Sequence, residues 1–285
     1  MPVLAGLLGV FAFSFYDLLL RALGHQVSFP VLLICVNVAL FLISWARLWH
    51  NGRGFFPSNF LGYPLLLCVA KALNIICAVM TFRYLSVAES YLLIFTYPIW
   101  TVLIDAALQK RFFKRYLIPL SMTTLGVIFV YCSKDIRLAV NPGIGWGMTT
   151  AFLCASNILL ARQLRDEPLF KLSFSNSLFC LIVGVAGLWI GHTPKVEMLP
   201  SAYWQLPVLI VCSVCGALGA LFAAQKLPPI RSALLCYLQI PLAVFFAWLW
   251  MRETITTQIA MGLILIIAGS LTAQLQRPAV RKNSV

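Results

Sequence analysis

The chain has 285 residues, of which 61% are hydrophobic and 10% charged, with a mean hydropathy of +0.93. A soluble protein carries about 25% charged residues, so this composition cannot cover a water-facing surface. It excludes a disordered chain, a solenoid and a disulfide-stapled secreted domain, and it points to an integral membrane protein. The formal charge of +13 would suggest nucleic acid in a soluble protein. Here the basic residues lie between apolar runs, where membrane topology explains them, so no nucleic-acid partner is expected.

Apolar runs of about 20 residues read as membrane-crossing helices. The first runs near 3–22 and carries Phe13, Tyr16, Asp17 and Arg21. It has no basic leader and no A-x-A-like cleavage site, so it reads as a retained span. Asp17 and Arg21 are four apart and share a face, either as a self-neutralising pair or as a proton-coupling and gating group. The second run is 29–46. The third, 62–82, holds Lys71 with no charged neighbour in sequence. Helical spacing groups Lys71, Asn74, Ala78 and Thr81 on one polar face, as a cavity wall would require. Lys71 is then a cation for an anionic group of a substrate; the competing reading is a snorkelling side chain.

The fourth run, 86–108, opens on Glu89, where an acid also suits a helix N-terminus through the macrodipole. Glu89 and Asp17 are the carboxylates best placed for a proton site. Further along lie Tyr97, Pro98 and Asp105, the last expected to meet Lys110 or Arg111. The fifth and sixth runs are 115–133 and 143–163; the sixth carries Asn157, a midplane amide. Asn157 and Asn74 serve either substrate binding or helix packing. The seventh run is 169–190. The eighth, 203–225, holds the small-residue stretch Ser213–Ala220, which favours close helix approach. The ninth, 229–250, carries Tyr237, Gln239 and Pro241, and the tenth is 255–274. The runs are continuous rather than alternating at period two, which excludes a β-barrel.

Lys and Arg set the orientation. With the N-terminus inside, Arg47, Arg53, Lys110, Arg111, Lys114, Arg115, Arg162, Arg165, Lys171, Lys226, Arg231, Arg277, Arg281 and Lys282 lie inside, fourteen in all. Arg21, Arg83, Lys134, Arg137, Lys195 and Arg252, six in all, lie outside. Both termini are therefore expected in the cytoplasm, in a bacterial inner or cell membrane.

The chain reads as two five-span halves, 1–138 and 139–285, the second ending in a short basic tail. The clearest echo joins Ala88–Pro98 to Arg231–Pro241, with the two prolines 143 residues apart. A weaker one joins Tyr16–Leu20–Arg21 to Asn157–Ala161–Arg162. An odd number of spans per half forces the second half to insert upside down. Inverted repeats are a signature of secondary transporters, with the substrate near the midplane between the halves. Pro98 and Pro241 each free a backbone carbonyl one turn earlier, which makes them candidate hinges.

On these residues the chain resembles the drug/metabolite transporter superfamily, in particular its duplicated EamA-type members. The stretch Pro241–Leu242–Ala243 followed by Met251–Arg252–Glu253 matches the family's pattern; the first half departs from it, with Lys110 where the acid would stand. The resemblance implies an all-α integral membrane fold of ten transmembrane helices in two inverted five-helix repeats, and a transport role. It leaves the substrate open, because members move amino acids, nucleotide sugars, S-adenosylmethionine, choline and drugs.

The nine cysteines are odd in number and fall in apolar runs; Cys212 and Cys215 form a C-x-x-C that reads as packing. His25, His50 and His192 fall in loops and form no metal-ligand set, and no Walker loop or GxGxxG is present, so no metal and no cofactor is expected. The residues thus point to a secondary transporter of a small polar, amino-acid-like or other zwitterionic solute, working by alternating access with proton coupling or exchange. Lys71, Asn74, Tyr97, Asn157, Tyr237 and Gln239 are the candidate substrate-binding residues, and Asp17, Glu89 and Arg21 the coupling or gating ones. The alternatives are a lipid flippase of the same fold and, further off, a membrane-embedded enzyme. The expected partners are the solute and membrane lipid, with the chain a monomer or homodimer.

Overall fold

The computed structural model describes residues 1–24, 27–85, 87–109, 116–131, 142–189, 202–251 and 255–275; within these, Gly24 and the side chains of Leu20, Arg21, Ala22, Phe82, Val87, Ala88, Glu89, Leu92, Tyr131, Ala202, Ala247, Trp250 and Met251 are described by backbone alone. The described residues form twelve helices: α1 Pro2–Gly24, α2 Phe29–His50, α3 Tyr63–Tyr84, α4 Val87–Ile94, α5 Tyr97–Gln109, α6 Leu117–Tyr131, α7 Pro142–Gln163, α8 Leu169–Trp189, α9 Ala202–Lys226, α10 Pro229–Cys236, α11 Gln239–Met251 and α12 Thr257–Leu275. Eight helical stretches are long and apolar enough to cross a membrane, and Leu117–Val130 is a shorter apolar helix. The tenth span is α4 with α5. The expected runs agree with these helices to within a few residues, α2 running on to His50.

Two spans are broken in the middle, each beside its proline. In the first, residues Phe95 and Thr96 form a turn between α4 and α5; in the second, Tyr237 and Leu238 do so between α10 and α11. Pro98 and Pro241 have no N–H to give to the carbonyls of Ile94 and Tyr237, four residues back, so the regular ladder stops there. Tighter three-residue bonds fill the gap in both places, Thr96 to Leu93 at 3.0 Å and Leu238 to Leu235 at 3.1 Å. One chemical cause thus breaks both spans in one geometry.

The helices pair by their order in the two halves, α1 corresponding to α7, α2 to α8 and so on to α6 and α12. The most extensive contacts are α1 with α9, α3 with α7, α2 with α8 and α6 with α12. Exchanging the two halves maps this set onto itself, as an inverted repeat requires. Glycines permit the closest crossings. A Cβ on Gly126 would lie 2.6 Å from the carbonyl oxygen of Gly262, and one on Gly262 would lie 2.7 Å from that of Gly126, so α6 and α12 touch backbone to backbone. A Cβ on Gly219 would lie 2.7 Å from the Ala5 oxygen, which sets the approach of α9 to α1. Lipid tails give no hydrophobic drive between helices, so such close contact is what holds the bundle together.

The loops α2–α3, α7–α8 and α9–α10 share one face of the bundle and carry Arg47, Arg53, Arg165 and Lys226 at or near them. This is called the basic face below, and the other the opposite face. Helix α10 lies wholly in the basic half of the bundle and α4 wholly in the opposite half.

Candidate functional site

Lys71 stands near the middle of α3. Its helix turns outward through Leu66, Val69, Leu73 and Ile76, each between 38% and 53% exposed and so lipid-facing. At about 100° per residue, Lys71 projects from the other side of the helix, about 180° from the mean direction of those four. Yet Lys71 is exposed. A side chain that points into the bundle and is still accessible lines an internal cavity. Its surroundings agree: Lys71 is within electrostatic range of Cys154 on α7 and Cys180 on α8. Cys180 is in turn within range of Tyr16 on α1. Three helices, α3, α7 and α8, therefore meet around this one cation, and Tyr16 brings α1 up to Cys180 beside it. Among the described residues its ammonium makes no ion pair with an acid.

Asp17 comes next to Tyr16 in α1 and reaches the break in the second broken span. Its Oδ2 accepts a hydrogen bond of 2.6 Å from Nε2 of Gln239, the first residue of α11. Ser14, one turn earlier, donates to the main-chain oxygen of the same Gln239 at 3.2 Å, and to its own Val10 at 2.8 Å. Two side chains of α1 thus hold both ends of one residue beside Pro241. Ser14 carried no role in the sequence reading, because a serine four residues from a carbonyl in its own helix looks self-satisfied. Phe11 and Phe15 complete this seam with edge contacts to Phe246, both at 5.3 Å between ring centres.

The other candidates divide. Asn74 is buried and tied to α7, donating to the Thr150 oxygen at 3.0 Å and to Cys154 Sγ at 3.1 Å. Thr81 is fully buried and bonds the Cys77 oxygen. The polar face grouped from sequence is therefore split: Asn74 and Thr81 turn onto α7, while Lys71 turns about 60° further, into the cavity. Asn157 lies one turn along α7 from Cys154, half-buried, with its Oδ1 enclosed and without a partner among the described residues. Tyr97 and Tyr237 come together at 6.4 Å between ring centres, with Phe95 6.2 Å from both, in the core between the two breaks. Tyr97 donates to the Ala233 oxygen at 3.2 Å, which fastens α5 to α10 across the two halves. Pro98 is buried and Pro241 half-buried.

The side chains of Arg21 and Glu89 lie outside the described residues, so the expected pairing of Arg21 with Asp17 does too. The same holds for Lys110 and Arg111, the partners expected for Asp105. That carboxylate is buried on α5 and accepts a 2.6 Å bond from Gln109 one turn on.

Below Lys71, on the basic side, the bundle is filled. Leu67, one turn before Lys71, packs with Leu164 and Leu172, and Leu160 and Leu221 lie against them. Beyond this plug the ends of α7 and α9 interlock. Arg162 donates to the Gln225 oxygen at 2.6 Å, and the Gln225 side chain, 2% exposed, donates to the oxygens of Leu164 at 2.8 Å and Glu167 at 3.1 Å. Lys226 bonds the Arg165 oxygen, and the Ser58 N–H of the α2–α3 loop donates to Glu167 Oε1 at 3.1 Å. The only sequence signal for this junction was the echo of Arg21 in Arg162.

Comparison with known proteins agrees with this architecture. Residues 141–273 match the EamA-like transporter family, a family of membrane transporters. No curated protein matches the sequence. A crystal structure of a protein 17% identical to this chain covers 96% of both chains with a TM-score of 0.76, a likeness of fold over nearly the whole length. Residues 141–273, in the second half of the chain, are thus similar to the EamA-like transporter family, and the chain as a whole shares its all-helical fold with that solved structure.

Proposed function

We propose that the protein is a secondary transporter of a small zwitterionic metabolite, amino-acid-like in its charges, that works by alternating access. The observation that carries this is the exposed Lys71 on the inward side of α3, with Asp17 on α1. An ionisable side chain within a span costs about 2.5–3.5 kcal/mol on insertion scales, so one that faces a cavity with no acidic partner among the described residues marks a place where a ligand supplies the counter-charge. A carboxylate or phosphate of the solute pairs with Lys71. An amine of the same solute is drawn to Asp17, held ready by Gln239.

Asp17, or Glu89 at the start of α4, takes up the coupling proton. Asn157, its enclosed Oδ1 having no partner among the described residues, is the amide best suited to an N–H of the solute. Asn74, Tyr97 and Tyr237 act by holding the cavity's walls together rather than by touching the solute. The breaks beside Pro98 and Pro241 are the hinges. In this reading the basic face is cytoplasmic, the repeats divide near residue 138, and the chain works as a monomer or homodimer in a bacterial cell membrane.

The test is binding to the purified protein of solutes that share a skeleton and differ in charge. Affinity for the zwitterion, lost with Lys71→Met for carboxylate-bearing solutes and with Asp17→Asn for amine-bearing ones, supports the assignment. Stabilisation by phospholipid alone, unaffected by either substitution, replaces it with lipid transfer.

A further inference from the structure

On the basic face the α2–α3 loop of the first half meets the α7–α8 loop of the second, and the two frame a cavity of about 450 Å³. Small-molecule sites occupy about 300–1,000 Å³, so the space suits a small solute. Ser58 and Tyr63, at the start of α3, line one side; Gln163, Leu164, Asp166 and Glu167 line the other. The chain on both sides is described without a break over 27–85, 142–189 and 202–251. The cavity is separate from the space at Lys71. Leu164 belongs to its wall and also packs with Leu67 and Leu172, so the plug stands between the two. Glu167 is held in place by its own main chain. Its N–H donates to the Leu164 oxygen at 3.2 Å, and its oxygen accepts from Gln225 at 3.1 Å. One oxygen of its carboxylate accepts the Ser58 N–H at 3.1 Å; the other, Oε2, is enclosed and has no partner among the described residues. An enclosed carboxylate oxygen without a donor is costly, and a native fold that keeps one calls for a partner from outside the chain.

We propose that this cavity binds an alkylammonium group, the charged amine of a small organic solute, with Glu167 as its counter-charge. The neighbouring cations are all committed elsewhere. Arg162 donates to the Gln225 oxygen at 2.6 Å, Lys226 to the Arg165 oxygen at 2.9 Å, and Arg165 stands 3.5 Å from Asp166. None of them pairs with Glu167, so its free oxygen is left to a ligand. An ammonium brings opposite charge and three N–H donors, the combination that gives strong hydrogen bonds to a carboxylate. Gln163 and Asp166 offer acceptors for the remaining donors, and Tyr63 and Leu164 offer apolar surface to an alkyl chain. A metal ion fits poorly. Calcium takes about six to eight oxygen ligands, and among the described residues no three His, Cys, Asp or Glu side chains group together as a metal would require. The acids are also out of pattern for this face. The α2–α3, α7–α8 and α9–α10 loops carry only two, Asp166 and Glu167, and both line this cavity. The assignment stands on these two loops alone and holds whether or not the amine belongs to a transported solute.

The test uses the full-length protein in detergent, with butylammonium as the probe and butyrate as the control of opposite charge. Ser58→Cys places a thiol on the cavity wall. Residue 58 is exposed, and the N–H that holds Glu167 is main-chain and survives the change. Modification of residue 58 by a thiol reagent is read by peptide mass spectrometry, so the native cysteines do not count. Butylammonium should slow the modification and butyrate should not. Adding Glu167→Gln keeps the side chain's shape and an acceptor for the Ser58 N–H. It should raise the butylammonium concentration for half protection by about tenfold or more, the order a charge-assisted bond commands. Adding Asp17→Asn should leave that concentration unchanged, which separates this cavity from the space at Lys71. Protection by neither ion, equal protection by both, or protection undiminished by Glu167→Gln overturns the assignment. Protection lost with Asp17→Asn instead overturns it in favour of the space at Lys71. None of these failures touches the role given to Lys71, which its own substitution tests.

Discussion

The bond between Asp17 and Gln239 joins residues 222 apart and fixes α1 to the break at Pro241, so its energy can be worked out and measured. Neutral hydrogen bonds between membrane helices are worth about 0.6 kcal/mol on average and up to about 1.7. A hydrogen bond to an ionised group is worth about 1.5–3 kcal/mol. The 2.6 Å separation is short even for a charge-assisted N–H···O bond, and the site is partly buried. The coupling should therefore lie at about 1.5 kcal/mol or slightly above if Asp17 is ionised. The assay is a double-mutant cycle of Asp17→Ala and Gln239→Ala, with stability read by SDS titration in mixed micelles. Ser14 bonds the main-chain oxygen of residue 239, which survives both substitutions, so the cycle isolates the side-chain pair. A coupling near 0.6 kcal/mol would mean a neutral acid. A coupling below about 0.3 kcal/mol, within the scatter of additive sites, would refute the bond.

Three further outcomes follow from the packing. Gly262→Ala brings a Cβ to 2.7 Å from the Gly126 oxygen and to 3.0 Å from the Val130 nitrogen, neither of which can swing aside; the melting curve should show a loss at or above the usual overpacking cost of about 1–3 kcal/mol. Asn74→Ala removes both ties to α7 and should lower stability by about 1–2 kcal/mol while leaving solute affinity within about twofold; a large loss of affinity at unchanged stability would return Asn74 to the binding site. Pro241→Ala lets the ladder close from residue 241 to Tyr237, so initial transport rates in vesicles should fall while the melting temperature holds or rises. An unchanged rate would remove the hinge.

The spans were legible because crossing a membrane demands length and apolarity, both plain in the sequence. So were the breaks, because Pro98 and Pro241 remove specific hydrogen bonds wherever they stand. Lys71's direction was also there to read: opposed to Leu66, Val69, Leu73 and Ile76 by helical periodicity alone. What could not be read is which partner a given group meets. Asn74 and Lys71 sit three residues apart on one polar side, and only the position of α7 assigns the first to packing and the second to the cavity. The pairing of Gly126 with Gly262, and of Gln225 with the end of α7, depends on how two helices cross, about which composition is silent. Tyr97 and Tyr237 lie deep in their spans, which suits either a pocket or the core; the Tyr97 hydroxyl is taken up by the Ala233 oxygen.

The most direct measurement is ligand stabilisation of the purified protein and of its Lys71→Met variant, across amino acids, organic cations, organic anions and nucleotide-type metabolites. A solute at 100 times its Kd stabilises by about 2.7 kcal/mol, a readable shift in Tm. The prediction is stabilisation by carboxylate- or phosphate-bearing solutes, strongest for zwitterions, and its loss in Lys71→Met. Stabilisation confined to cations lacking an anionic group, or undiminished in Lys71→Met, would contradict the placing of the substrate's counter-charge at Lys71.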